Sequence, residues 1–502
     1  MTKPDPSIAR SAAACDRARG PAPWLLAVGL GLTAAVLYVL LRRATSHEYD
    51  VYWLLPRLHR GELAYPRHPL SLYAASLWAT LLEPFGGDLH ERLRIASGLC
   101  TGLAVAVFTH AAWLLLRSRR AAATVGVLYA CLPANAYFAT VMELHALFLP
   151  AAAVAVWFAC WLIGRGERVG VTTGAGLGVL TSLASGLHST GHLLVPLLAA
   201  WLVAELHSQR SLWPRLLRGV GAFGIAHAAV YAVVQWMTTR GDASAPVAAQ
   251  LGFLADSLQG FTDLHRTIVG EWLLPFCPVA IVCWFGWRAS RALVLCLFGG
   301  CVAHIAVCQI LLVLPGGGYV FHEFGAYQQT LAFFATVVAV RVVGRWAPAL
   351  VLVALAVASQ SWLQPAKQPA DRAFGAAALQ HMASSGDRLL VGCFAEFDGV
   401  FDLAWHDDQR SLLLPRLLGV NQFRGEVLQG PSCTAAELAL FFHPAVAHLT
   451  TVLTQAARDQ LRDAGGIFAE LVEVALPATF VLREVVVAGT GGELRGWRLE
   501  PK

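Results

Sequence analysis

The sequence predicts a polytopic α-helical membrane protein, of roughly eleven spans, that ends in a small soluble α/β domain. Three observations carry that reading. Of 502 residues, 57% are hydrophobic and only 14% charged, with a mean hydropathy of +0.57, which takes the chain out of the soluble class. The apolar residues come in runs long enough, at about 1.5 Å per residue, to cross a hydrocarbon core. From Gln364 onward those runs give way to shorter, mixed patterns. The formal net charge of +5 does not point to nucleic acid, because the arginines sit in small clusters between apolar runs and form no basic stripe.

Residues 1–22 are polar and carry Lys3, Arg10, Arg17 and Arg19 without apolar periodicity; they read as a disordered cytoplasmic arm. Residues 23–363 read as the membrane domain. Its first run, Pro23 to Leu41, lacks a small-residue cleavage site and reads as an uncleaved signal anchor. An outer loop, 43–94, follows; within it the apolar stretch 69–85 is assigned to the interface, because only then do the later arginine clusters share one side. Those clusters are Arg117, Arg119 and Arg120; Arg165 and Arg168; Arg210, Arg215 and Arg218; Arg288 and Arg291; and Arg341 and Arg345. Positive residues collect on the cytoplasmic side, so the N-terminus is expected inside. The remaining spans fall near 95–116, 121–139, 144–163, 170–187, 191–206, 219–238, 270–287, 292–314, 326–344 and 347–363. The odd count puts residues 364–502 outside the cell membrane. In that region 371–386, 434–442 and 451–464 have helical spacing, whereas 387–393, 480–487 and 494–499 read as strands. Eight of the eleven cysteines lie in apolar runs, where a thiol is a small hydrophobe; Cys393 and Cys433 share the polar region, and spacing alone leaves their pairing open.

With this topology, the polar residues that hydropathy does not explain fall on the outer side. Glu48, Asp50, Arg67 and His68 lie in the first outer loop. Glu143 and His145 open a span, His188 and His192 occupy a tight turn, and Glu323 and Tyr327 precede a late span. For each residue taken singly, capping a helix end in the headgroup layer is the plain reading, but a convergent set beside the membrane marks a site. His110, His227 and His304 sit in mid-span and read as partners in interhelical hydrogen bonds. A transporter or flippase of an envelope component is the competing reading. It would place ionisable residues at the bilayer midplane, whereas these crowd the outer rim. A structural assembly subunit would leave the convergent acids unexplained. No Gly-rich phosphate loop follows a strand, so a nucleotide-sugar site is not supported.

The order of these motifs resembles the GT-C superfamily of polyprenyl-lipid-dependent membrane glycosyltransferases, and is most similar to the bacterial branch related to protein O-mannosyltransferases. The residues that carry the resemblance are an acid soon after the first span, His68-Pro69-Leu70, Arg92 and Arg94 opening a span, Glu143-Leu144-His145, and Gly186-Leu187-His188-Ser189-Thr190-Gly191-His192. They spread over residues 23–345. The chain departs from the family pattern in having the single Pro69 where two prolines are usual, and Leu144-His145 in place of Val-Tyr. The resemblance implies transfer of a sugar from a polyprenyl-phosphate donor to a protein, lipid or glycan acceptor at the outer face of the plasma membrane. In that reading Asp50 is the general base, with Glu48 and Glu143 as the other candidate carboxylates. Arg67 and His68 meet the leaving phosphate, and His188, His192, Glu323 and Tyr327 line the substrate site. A divalent metal is compatible with these acids, but no ligand spacing argues for one.

Overall fold

The computed structural model describes residues 22–42, 58, 61, 63, 65, 68–87, 89–165, 169–206, 212–238, 264–312 and 324–363, together with the strands of the C-terminal region. The chain divides into two compact units: residues 1–43 with 62–363, and residues 44–61 with 364–502.

The first unit is a helix bundle. Helix α1 (Pro23–Leu40) opens on a proline, whose missing N–H is one of the amides a helix start leaves unbonded anyway. Helix α2 (Ser71–Leu81), at about 16 Å, is too short to span the hydrocarbon core. Then follow α3 (Leu89–Leu116), α4 (Arg119–Cys131), α5 (Pro133–Thr140), α6 (Leu144–Ile163), α7 (Val171–Leu187), α8 (Leu194–Leu206) and α9 (Trp213–Thr238). After short helical pieces come α10 (Arg291–Leu312), α11 (Gln329–Val343) and α12 (Ala347–Leu363). Among the described residues seven helical segments are long and apolar enough to cross a membrane, or eight if α4 and α5 form one bent span. The molecule is a polytopic helical membrane protein.

Two expected spans take a different form. The stretch 121–139 bends by 61° between α4 and α5, where Pro133 cannot continue the ladder. The opened backbone is satisfied from side chains: Asn135 donates to the Tyr129 carbonyl at 2.8 Å, and Gln329 donates to Asn135 Oδ1 at 3.2 Å. The stretch 270–287 is not one helix but a π-helical turn (Val269–Leu273), a four-residue helix (Val279–Val282) and a 3₁₀ segment (Cys283–Arg288). Pro275 and Pro278 interrupt it, although its hydropathy is that of a span.

Helix α11 is buried on all sides from Gln329 to Val340, which is why its sequence is apolar all round. Phe333 stacks on Phe108 of α3 at 4.5 Å, and Tyr129 of α4 meets Phe108 edge-on at 4.9 Å. The outer helices α9 and α12 instead present side chains such as Ile225 and Leu352 to the surroundings, as helices facing lipid do. The eight described cysteines are all free thiols within this bundle.

Glycines let two helix pairs meet backbone to backbone. Gly31 of α1 and Gly102 of α3 face one another, so that a Cβ on Gly102 would lie 2.5 Å from that of Ala35. Gly174 and Gly178 of α7 do the same against Gly219 and Phe223 of α9. Small residues at one-turn spacing are the usual way helices approach closely in a bilayer, where burial of apolar surface supplies no drive.

The second unit holds a five-stranded mixed sheet of order β2-β1-β3-β5-β4, built from β1 (Arg388–Gly392), β2 (Ser411–Leu413), β3 (Leu438–Phe442), β4 (Phe480–Gly489) and β5 (Gly492–Pro501). β1 is parallel to both neighbours, whereas β5 pairs antiparallel with β3 and β4. The expected strands at 387–393, 480–487 and 494–499 correspond to β1, β4 and β5. The helix expected over 434–442 is corrected: Leu438–Phe442 is the central strand, and a short continuous apolar run does not distinguish helix from buried strand by period. The helices expected at 371–386 and 451–464, the Cys393–Cys433 pair and the N-terminal arm up to residue 21 lie outside the described residues.

Gly178→Ala should separate α7 from α9, because the new Cβ would sit 2.5 Å from the Phe223 carbonyl oxygen; overpacking of this kind costs about 1–3 kcal/mol. Gly221→Ala, on the same α9 with nothing within 4 Å, is the control. Thermal denaturation in detergent should show a lowered midpoint for the first variant and an unchanged or raised one for the second.

Candidate functional site

The start of α6, the end of α7 and the turn before α11 meet at one end of the bundle, and the loop ahead of α2 closes onto them. The backbone makes the junction. Leu70 N–H donates to the Gly186 carbonyl at 2.7 Å, and Ser189 N–H donates to His68 Nδ1 at 3.0 Å. Gly186 is required there, since a Cβ would lie 2.7 Å from the Leu70 side chain. The turn after α7 is equally tight: a Cβ on Gly191 would fall 2.5 Å from the Ser185 nitrogen.

These contacts assemble three imidazoles. His68 stacks on His188 with ring centroids 4.2 Å apart and planes 21° apart, and His145 lies 4.0 Å from His188 on a tilted plane. Tyr327 meets His145 edge-on at 5.2 Å, and Tyr65 meets His68 edge-on at 5.1 Å. All three histidines are buried, at 5%, 1% and 2% exposure for His68, His145 and His188, whereas Tyr65 and Tyr327 are half-buried. The tyrosines therefore form the part of the cluster open to a visitor.

The hydrogen bonds define the tautomers. His68 Nδ1 accepts from a backbone N–H, so its proton is on Nε2. His188 Nδ1 accepts from Thr190 N–H at 3.3 Å and lies 2.8 Å from Thr190 Oγ1. Burial, with His145 and His68 beside it, holds the His188 imidazole well below its ordinary value. At rest, His188 is neutral.

The tyrosine-bearing turn is held from below. Glu271, fully buried in the π-helical turn, accepts from Gly325 N–H at 2.8 Å, and Gly325 takes a positive φ of 78° that fits glycine. Glu271 was not among the residues expected in the site. Its signal was an acid inside the apolar run Val269 to Pro275.

Of the residues expected here, the structure brings together His68, His188 and Tyr327, with His145 packed between His188 and Tyr327. Glu143, 3% exposed, is the N-cap of α6, and its Oε1 accepts from Leu144 N–H at 2.8 Å. His192 turns away from the cluster: its Nδ1 lies 3.0 Å from Nε2 of His227 on α9, and its ring meets Tyr231 at 4.3 Å. His227 also bonds Thr181 of α7 at 3.0 Å, and His110 accepts from Trp157 at 2.8 Å, the interhelical bonds their mid-span positions suggest. His304 differs, bonding the Gly300 carbonyl of its own helix at 2.8 Å. Glu48, Asp50, Arg67 and Glu323 lie outside the described residues. Among the described residues no group of three or more His, Cys, Asp or Glu is arranged to hold a metal.

The opposite end of the bundle is cationic. Arg341, near the end of α11, donates to Ser290 Oγ at 2.7 Å and to the Leu115 carbonyl at 3.1 Å, close to where α3 ends before Arg117. Arg341 thus lies at one end and the imidazoles at the other, where Arg42 and Arg94 are paired with Glu91.

This fold is shared with ArnT from Cupriavidus metallidurans. The crystal structure of ArnT bound to undecaprenyl phosphate aligns with 94% of this chain and 97% of its own at a TM-score of 0.55 and 14% identity. Its apo state aligns over the same shares at 0.51 and 15%. At this identity the likeness is one of fold. No protein family and no curated protein matches the sequence.

Glu271→Ala would strand the buried Gly325 N–H, at a cost of about 1–3 kcal/mol, and loosen the turn that carries Tyr327. Glu271→Gln keeps an acceptor oxygen and should cost less. Thermal denaturation of the two variants against the parent protein should rank them in that order.

Proposed function

We propose that the chain is a membrane glycosyltransferase that takes a sugar from a polyprenyl-phosphate donor at the extracytoplasmic face. The observation that carries the reading is the cluster of His68, His145, His188 and Tyr327 at one end of an ArnT-like bundle. ArnT has been crystallised with undecaprenyl phosphate, and here the same fold presents hydrogen-bond donors at one helix-bundle end. A phosphate leaving group needs such donors as its charge develops.

In this reading a carboxylate takes the acceptor hydroxyl's proton while the acceptor oxygen attacks the anomeric carbon. The bond from that carbon to the phosphate oxygen breaks. His68, with Nδ1 occupied by the Ser189 amide, offers its Nε2–H to the departing phosphate, and Arg67 beside it in sequence adds fixed charge. Asp50 is proposed as the base on its sequence position, with Glu48 as substitute. Glu143 ranks lower, because its carboxylate already caps α6. Glu323 belongs to the same proposed substrate-facing set as Tyr327, while His192 contributes through its bond to His227.

The finer topology also belongs to the proposal: eleven crossings, a cytoplasmic N-terminus in the plasma membrane and an extracytoplasmic C-terminal domain, following the arginine clusters. The branch related to protein O-mannosyltransferases, with hexosyl or pentosyl transfer, is the proposed affiliation.

Purified protein in liposomes, given a polyprenyl-phosphate sugar and candidate acceptors, should form a glycosidic product and release the free lipid phosphate. Asp50→Asn should lower turnover by about 10²- to 10⁴-fold, the usual loss on removing a general base, while the protein still inserts. Solute uptake without product would favour the transporter instead. Near-normal turnover in Asp50→Asn with collapse in Glu48→Gln would move the base to Glu48.

A further inference from the structure

A cavity of about 240 Å³ lies among the helix ends at the Arg341 end of the bundle, away from the imidazoles. Arg117 just after α3, Glu205 in the last turn of α8 and Arg341 in the last turn of α11 line it, with Trp201 and apolar side chains such as Leu115 and Leu293 as its walls. Arg341 is fixed by its bonds to Ser290 Oγ and the Leu115 carbonyl. Arg117 lies over Trp113 at 5.5 Å and reaches across to the end of α6, where a Cβ on Gly164 would fall 3.0 Å from its Nη2. Glu205 Oε1 accepts from Trp201 Nε1 at 3.2 Å, which anchors the carboxylate to its own helix.

The arginines have a plain reading, because cations complement the negative C-terminal ends of α3 and α11. The same physics runs against Glu205, since a carboxylate in the last turn of α8 faces that helix's own negative end. Nor does it serve the arginines: among the described residues, no N···O distance of 4.0 Å or less joins it to a cation. One small cavity is thus lined by two guanidiniums and a carboxylate that does not close on either of them, a pattern complementary to a zwitterion. At about 240 Å³ the space is below the roughly 300–1,000 Å³ of drug-sized ligand sites and suits a compact polar group. Basic pockets between membrane helices take phospholipid headgroups.

We propose that this cavity binds the phosphoethanolamine headgroup of a membrane phospholipid. Arg117 and Arg341 meet the phosphodiester, and Glu205 receives the ammonium, whose N–H groups give the carboxylate a charge-assisted hydrogen bond. A purely anionic headgroup such as phosphoglycerol satisfies the arginines but leaves Glu205 opposed to it, so the acid sets the preference. None of these residues belongs to the imidazole cluster, and the site stands whether or not the chain transfers a sugar.

Native mass spectrometry of the full chain, released from micelles that contain equal amounts of phosphatidylethanolamine and phosphatidylglycerol, tests the site. The parent protein should retain phosphatidylethanolamine in preference to phosphatidylglycerol. Glu205→Gln should reduce that preference by about tenfold or more, the worth of a hydrogen bond to a charged group, with no weaker retention of phosphatidylglycerol. Arg117→Gln should weaken retention of both lipids. Arg345→Gln, at the same end but outside the cavity's lining, should leave both unchanged. Equal retention of the two lipids by the parent protein, a preference that survives Glu205→Gln, or a loss in Arg345→Gln as large as that in Arg117→Gln overturns the inference. The parent protein's choice between the two lipids decides by itself if a variant does not fold.

Discussion

The imidazole end of this bundle depends on one close approach, where the loop ahead of α2 lies against the end of α7. The Leu70 amide reaches the Gly186 carbonyl, and the Ser189 amide reaches His68. Two hydrogen bonds with a backbone donor therefore decide both where the His68 ring lies and which of its nitrogens carries the proton. Because Gly186 has no side chain, Leu70 can sit where a Cβ would be, and the imidazoles of His68 and His188 come to stacking distance. A polar cluster buried beside a membrane is expensive unless its atoms are satisfied, so the backbone bonds stabilise the arrangement as well as orient it.

The same principle operates through the bundle. Backbone groups exposed at the break between α4 and α5 are met by Asn135, itself held by Gln329 at the start of the buried helix α11. The turn that presents Tyr327 is met by Glu271. In both places an irregular segment is matched by a buried polar side chain.

Much of this was readable from the amino acids, for identifiable reasons. Long apolar runs predict helices well because in lipid a single run satisfies its own backbone only as a helix. His68, His188 and Tyr327 stood out because polar rings between apolar runs need a reason. The broken stretch around Pro275 and Pro278 was misread as a continuous span because a hydropathy window does not count missing amide donors. Leu438–Phe442 was misread as helix because a five-residue apolar run carries no period. The separation of His192 from His188 was not legible at all: four residues apart, they turn to different helices, and only the 3₁₀ geometry of Ser189–Leu193 decides which ring goes where.

The proposed role of the imidazole end is to receive the phosphate of a polyprenyl carrier. A cryo-electron microscopy structure of the protein with undecaprenyl phosphate tests it most directly. Phosphate density is expected within hydrogen-bonding distance of His68 Nε2, with His145 still packed against His188. Carrier phosphate density at the Arg341 end of the bundle, or on a lipid-facing flank away from His68, would contradict it.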